Sequence, residues 1–155
     1  MGSIAELEDK LAIHELIARY NFALNFGDIE GWVGCFTEDG IFECPFAIFK
    51  GHPALRQYIT ERTAERQKYP LRHLPTNIIV EVRGDRASAQ FYLLTLQVRP
   101  EGMQLLTTGV YHDQIKKIDG TWRFSHRKVQ LDNTSWANQV FPASYLEKSF
   151  LSAKR

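Results

Sequence analysis

Apolar residues recur at three- and four-residue steps near the start of the chain. Ile13, Leu16, Ile17, Tyr20 and Leu24 fall on one face of a helix expected over residues 4–25. Ser3, with Glu6 three residues on, has the spacing of a capping box, and Gly27 follows the last periodic residue as a stop. Asp28 is set to cap a short second helix over 29–36, with Trp32 and Phe36 inward. Thr37-Glu38-Asp39-Gly40 reads as a turn, and 41–49 as a strand whose Pro45 points to an edge or a bulge. Gly51-His52-Pro53 opens a third helix running to about residue 68, with Leu55, Tyr58 and Ile59 inward.

After Tyr69-Pro70 the period changes from helical to alternating. Strands are expected over 71–82, 87–98, 104–118 and 122–131, the last two joined by Asp119-Gly120, a two-residue hairpin signal. Helices first and antiparallel strands after define an α+β fold. In LRHLPTNIIVEV, strict alternation puts His73, Pro75, Asn77 and Ile79 on one face. Leu74, Thr76, Ile78, Val80 and Val82 then share the other. The second face is apolar and must be buried, by helices or by another copy of the chain. The first is mixed, as the wall of a pocket would be. A core or edge histidine with its hydrogen bonds satisfied is the plainer reading of His73.

At 155 residues the chain is one domain's worth, with residues 132–155 a tail whose rings cover a cavity or pack on a neighbour. It is 44% hydrophobic and 24% charged, as an ordinary globular protein is. With 19 Lys+Arg against 18 Asp+Glu there is no basic stripe for nucleic acid. No apolar run approaches a membrane span, and the polar, acidic start points to the cytoplasm. Cys35 and Cys44 fit no metal spacing and no disulfide framework. Five scattered histidines lack acidic companions at ligand spacing, and no GxGxxG, P-loop or CxxC occurs. No metal and no organic cofactor are expected. Among the carboxylates, Asp113 shares a strand face with Tyr111 and could reach a pocket or pair with a neighbouring strand. Asp28 reads as an N-cap, and Asp132 ends the last strand.

Four patterns, IHELIARYNFALNFGD, CFTEDGIFE, RHLPTN and GVYHDQIKKIDGTWRFSHR, resemble the SnoaL-like branch of the nuclear transport factor 2-like superfamily. The resemblance implies a cone: a strongly curved antiparallel sheet wrapped around helices, with an internal pocket. It also implies a cofactor-independent lyase or isomerase acting on a hydrophobic, cyclic or aromatic small molecule. A pocket protein that binds such a ligand without turnover is the alternative, and an accessory subunit like those of ring-hydroxylating oxygenases is a third. A homo-oligomer is implied, a trimer as in the dehydratases or else a dimer. By resemblance to hexachlorocyclohexane dehydrochlorinase, the catalytic histidine falls on His73, the pocket arginine on Arg127, and pocket aromatics on Tyr111 and Phe42. Tyr20 matches a tyrosine of bile-acid 7α-dehydratase. Asp113, Cys44 and Leu24 complete the expected substrate-binding set.

One departure matters most: where these relatives carry an aspartate that holds the histidine, this chain has Asn25. An amide oxygen can orient an imidazole, but it carries no charge to stabilise the imidazolium. A triad Asp changed to Asn loses about 10⁴ in rate. Tyr20 and Asn25 also lie roughly 140° apart on an ideal helix, so facing one cavity together would strain the helix end.

Overall fold

The computed structural model describes residues 3–64 and 69–132, so all but the first residue of the tail expected over 132–155 lies outside the described residues. Helix α1 spans Ile4–Phe26. The Ser3 side chain accepts from the Glu6 N–H, and Gly27 closes the other end at φ 73°, a left-handed turn that suits glycine. Its buried stripe is Ile13, Leu16, Ile17, Tyr20 and Ala23. Helix α2 spans only Ile29–Val33, capped by the Asp28 carboxylate. Phe36, expected at its end, instead begins β1 (Phe36–Cys44).

Pro45 and Phe46 form the turn into β2 (Ala47–Lys50), so the single strand expected over 41–49 is the second half of a hairpin arm plus its return. Proline has no N–H for a ladder, which suits a turn better than a strand interior. Helix α3 is Gly51–Ala64, followed by β3 (Leu71–Arg83), β4 (Arg86–Arg99), β5 (Gly102–Ile118) and β6 (Thr121–Leu131). Asp119 and Gly120 both take positive φ, as a tight hairpin of this sense requires.

The six strands form one curved, unclosed sheet in the order β2-β1-β6-β5-β4-β3. Most neighbours are antiparallel; β1 runs parallel to β6, which makes the sheet mixed. The helices cover one face, and a single core joins Ile13, Ile17, Trp32, Leu55 and Ile59 to Phe36, Phe91, Ile115 and Phe124 of the sheet. Asp9 ties α1 to the β5–β6 hairpin, accepting from Lys117 Nζ at 2.7 Å and Trp122 Nε1 at 2.9 Å.

Strand β3 departs from strict alternation. The pairing with β4 slips between Thr76 and Ile79, and Asn77 sits at φ 55°. This is a β-bulge: one extra residue that turns the strand half a pleat. Before it, His73 and Pro75 face the helices; after it, Ile78 and Val80 do, opposite Ala89 on β4. The continuous apolar face expected through Leu74, Ile78, Val80 and Val82 therefore does not form. Leu74 and Ile79 point outward instead, with Tyr92 of β4 and Met103 of β5 also exposed.

Candidate functional site

A cavity of about 80 Å³ lies between α1, α2, α3 and the sheet. Its floor is buried and mostly aromatic or aliphatic: Tyr20, Trp32, Phe42, Leu93, Leu106 and Tyr111. Partly buried residues ring the mouth, among them Leu24, Phe46, Arg62, Leu71 and His73. The volume is roughly half of the ~150 Å³ void that admits benzene, so a ring-sized ligand must extend into the mouth or displace rim side chains. Of the residues expected at a pocket, Tyr20, Leu24, Phe42, Cys44, His73 and Tyr111 line this cavity; Asn25, Asp113 and Arg127 do not.

Asn25 stands behind the wall and holds His73. Its Oδ1 accepts the backbone N–H of His73 at 3.2 Å, which fixes the orientation of the amide. The same oxygen lies 2.7 Å from His73 Nδ1. A carbonyl oxygen only accepts, so Nδ1 carries the proton and Nε2 keeps its lone pair. Tyr20 and Asn25 thus have different jobs on different sides of α1, and the helix end needs no distortion to supply both. Burial pushes His73 down to about 3, with the positive charge of Arg62 adding to the effect. The imidazole is therefore neutral at ordinary pH. No carboxylate lines the cavity among the described residues.

Arg127 and Asp113, expected on the pocket wall, are corrected to a position beneath it. They are cross-strand partners on β6 and β5 and form a bidentate pair, Nε to Oδ1 at 2.9 Å and Nη2 to Oδ2 at 2.6 Å. Both side chains are fully buried. The guanidinium is packed among rings, 3.7 Å from the centroid of Phe124 and 4.1 Å from that of Tyr20. Burial raises the Asp113 carboxyl above the usual carboxylate range, with Arg127 offsetting part of the rise. Asp113 takes Nε and Nη2, while Nη1 has no partner among the described residues; the guanidinium does not line the cavity, so it is not placed to meet a ligand oxyanion there. The pair instead props up the tyrosines: Tyr20 and Tyr111 meet edge to face at 6.3 Å. Burial raises both phenols, so they stay protonated.

The other candidate carboxylates and imidazoles either have structural partners or are exposed. Asp28 caps α2, and Asp132 accepts from Thr108 Oγ1 at 2.7 Å. His52 bonds the Phe36 carbonyl, His126 pairs with Glu43, and His14 and His112 are exposed. Both cysteine thiols are free and pushed up by burial, Cys35 to about 11. Among the described residues no group of three or more His, Cys, Asp or Glu is arranged to hold a metal ion, and no helix is long and apolar enough to cross a membrane. The sequence reading missed Thr95, Leu106 and Arg62 as lining residues. The signal for Thr95 is its register opposite His73, which is readable only once the bulges are known.

An open six-stranded sheet over helices, with a cavity between, is the architecture of the nuclear transport factor 2-like, cystatin-like proteins. An NTF2-like protein with a cystatin-like fold from Novosphingobium aromaticivorans matches with a TM-score of 0.74 at 26% identity, over 88% of this chain and 90% of that one. Rv3472, a function-unknown protein of Mycobacterium tuberculosis solved as an aspartate-to-asparagine variant, matches at TM-score 0.79 and 32% identity. That match covers 99% of this chain and 93% of the other. A Catenulispora acidiphila protein solved in complex with S-DNPA matches at TM-score 0.74 and 26% identity, over 84% and 98%. Within that class, the chain belongs to the SnoaL-like domain family, whose model matches residues 5–128. The family includes both enzymes and ligand-binding proteins.

Proposed function

We propose that the cavity takes a small hydrophobic molecule, cyclic or aromatic, and that His73 exchanges a proton with it without a cofactor, as in a dehydratase, elimination or cyclase reaction. The observation that carries this reading is the locked tautomer. Asn25 holds Nδ1–H, so a histidine on an apolar cavity wall offers a bare Nε2 lone pair. The low basicity of that nitrogen limits the chemistry to activated protons, such as those beside a carbonyl. Tyr20 donates to Tyr111, so Tyr111, held protonated, is the donor available to such a carbonyl oxygen.

Binding without turnover is the second reading. Two observations favour it: an amide stands where a carboxylate would strengthen the base, and Arg127 is cancelled by Asp113. Deuterium exchange separates the two. With a cyclic ketone in D₂O, the wild type should exchange α-protons above the solvent rate and His73→Ala should not. A ketone that binds with no exchange above background overturns the proton-transfer reading and leaves the binding one.

We also propose that a second copy of the chain covers the outer face of β3, β4 and β5, in a homo-oligomer that the family resemblance makes a trimer. Leu74, Tyr92, Val98, Met103 and Leu105 are all exposed there.

A further inference from the structure

The β3–β4 register sets Thr95 directly opposite His73 on the inner face of the sheet. Side chains so paired have Cβ atoms roughly 5 Å apart. Thr95 is 4% exposed, and its hydroxyl has no partner among the described residues. Asn25 engages only the other ring nitrogen of His73, and no hydrogen bond to Nε2 is seen among the described residues. Across the cavity Trp32, fully buried, leaves its indole N–H without a partner among the described residues. The rest of the floor is aliphatic or aromatic, with Phe42, Leu93, Leu106 and Val129 among it. A wall built for packing alone would carry Val at position 95, which has the same shape and no polar atom to satisfy. Three unpaired polar groups from three elements, of complementary type, therefore read as the counterpart of a ligand.

We infer that Thr95 and His73 form a two-point clamp for one hydroxyl of a neutral ligand, a phenol, an enol or a cyclic alcohol. The ligand O–H donates to His73 Nε2, and its oxygen accepts from Thr95 Oγ1–H. The Trp32 N–H serves a second acceptor, such as a ring carbonyl. The inference rests on the reading that this cavity holds a small hydrophobic molecule, and it names that molecule's chemistry. Neutrality follows from the cations nearby. Arg127 is matched by Asp113, and Arg62 already has interactions of its own. A carboxylate would bring an uncompensated charge against an apolar floor.

The test uses phenol, anisole, toluene and benzoate on the full chain, with affinities from NMR titration. Phenol should bind more tightly than anisole or toluene, and benzoate least. The ¹⁵N resonance of His73 Nε2 should move with phenol and not with toluene. Thr95→Val should weaken phenol roughly three- to tenfold, the worth of one hydrogen bond, and leave toluene unchanged. Thr95→Ser should keep the phenol affinity. Equal losses for phenol and toluene, an unmoved His73 resonance, or a phenol affinity indifferent to Thr95→Val would each overturn the clamp while leaving the cavity reading intact. The last would mean that an ordered water already satisfies the hydroxyl. The His73 resonance is read in the wild type, so the test survives if a variant fails to fold. Failure of all four probes to bind the wild type would overturn the clamp and the cavity reading together.

Discussion

Replacing Asn25 with Asp tests the link between orientation and basicity. Asn25 Oδ1 already accepts from both the His73 N–H and Nδ1–H. A carboxylate oxygen fits the same place and adds one negative charge. With charge centres about 4 Å apart, the attraction is about 4 kcal/mol at an effective dielectric of 20. At 1.36 kcal/mol per unit this is roughly three pKa units, offset in part by desolvation of the new carboxylate. His73, now held at about 3, should rise to roughly 5–6. A pH titration of the His73 ring by NMR, assigned with His73→Gln, reads the shift directly. Once deprotonated, the variant imidazole is the stronger base, so any proton abstraction should quicken above the new pKa.

The sign for stability follows from the same numbers. The folded pKa lies below the unfolded reference of about 6.5, so the unfolded chain binds more protons between about 3 and 6.5. The contribution is complete above that window and is lost as pH falls through it. At pH 5 the loss is about 2 kcal/mol at most. Asn25→Asp should flatten this acid limb. A His73 titration that moves by less than about one unit would refute the reasoning, since no contact in this site is better placed to change it.

Three further outcomes are expected. Arg127→Leu strands a buried Asp113 and should cost about 3–5 kcal/mol in urea unfolding, most of it recovered when Asp113→Leu is added. Gly109→Ala should cost about 1–3 kcal/mol in thermal unfolding, because a Cβ there meets the Gln130 carbonyl of the neighbouring strand. Light scattering at micromolar concentration should give a multiple of the chain mass, and Met103→Glu should lower it; a wild-type monomer would contradict the proposed covering of the outer sheet face.

The helices were legible because their signals are local. Ser3, Gly27 and Asp28 act on backbone groups within a few residues, and the apolar stripe of α1 needs only the helical period. The hairpin at Asp119-Gly120 was legible for the same reason. What failed depends on distant partners. The bulge at Asn77 shows only in the pairing with β4, so strict alternation assigned Ile78 and Val80 to the wrong side. Asp113 was legible as sharing a face with Tyr111, and Arg127 came to the pocket only by resemblance; their direct opposition across β5 and β6 is a matter of register. The pairing of His73 with Asn25, 48 residues away, was by contrast expected, but from the family resemblance and not from any local signal.

The bulge at Asn77 also divides β3 into two stretches of opposite parity. The first displays odd-numbered side chains inward and contributes a functional wall through His73; the second displays even-numbered ones and contributes core through Ile78, Val80 and Val82. A half-step in the strand thus lets the two stretches drift independently. Residues around the imidazole can be exchanged for a new occupant without altering which side chains seal the far end of the cone. Straightening the strand into regular alternation with every residue kept would force the protein to present either its wall or its seal inward, whereas deleting the one extra residue would keep both and lose only the local bend.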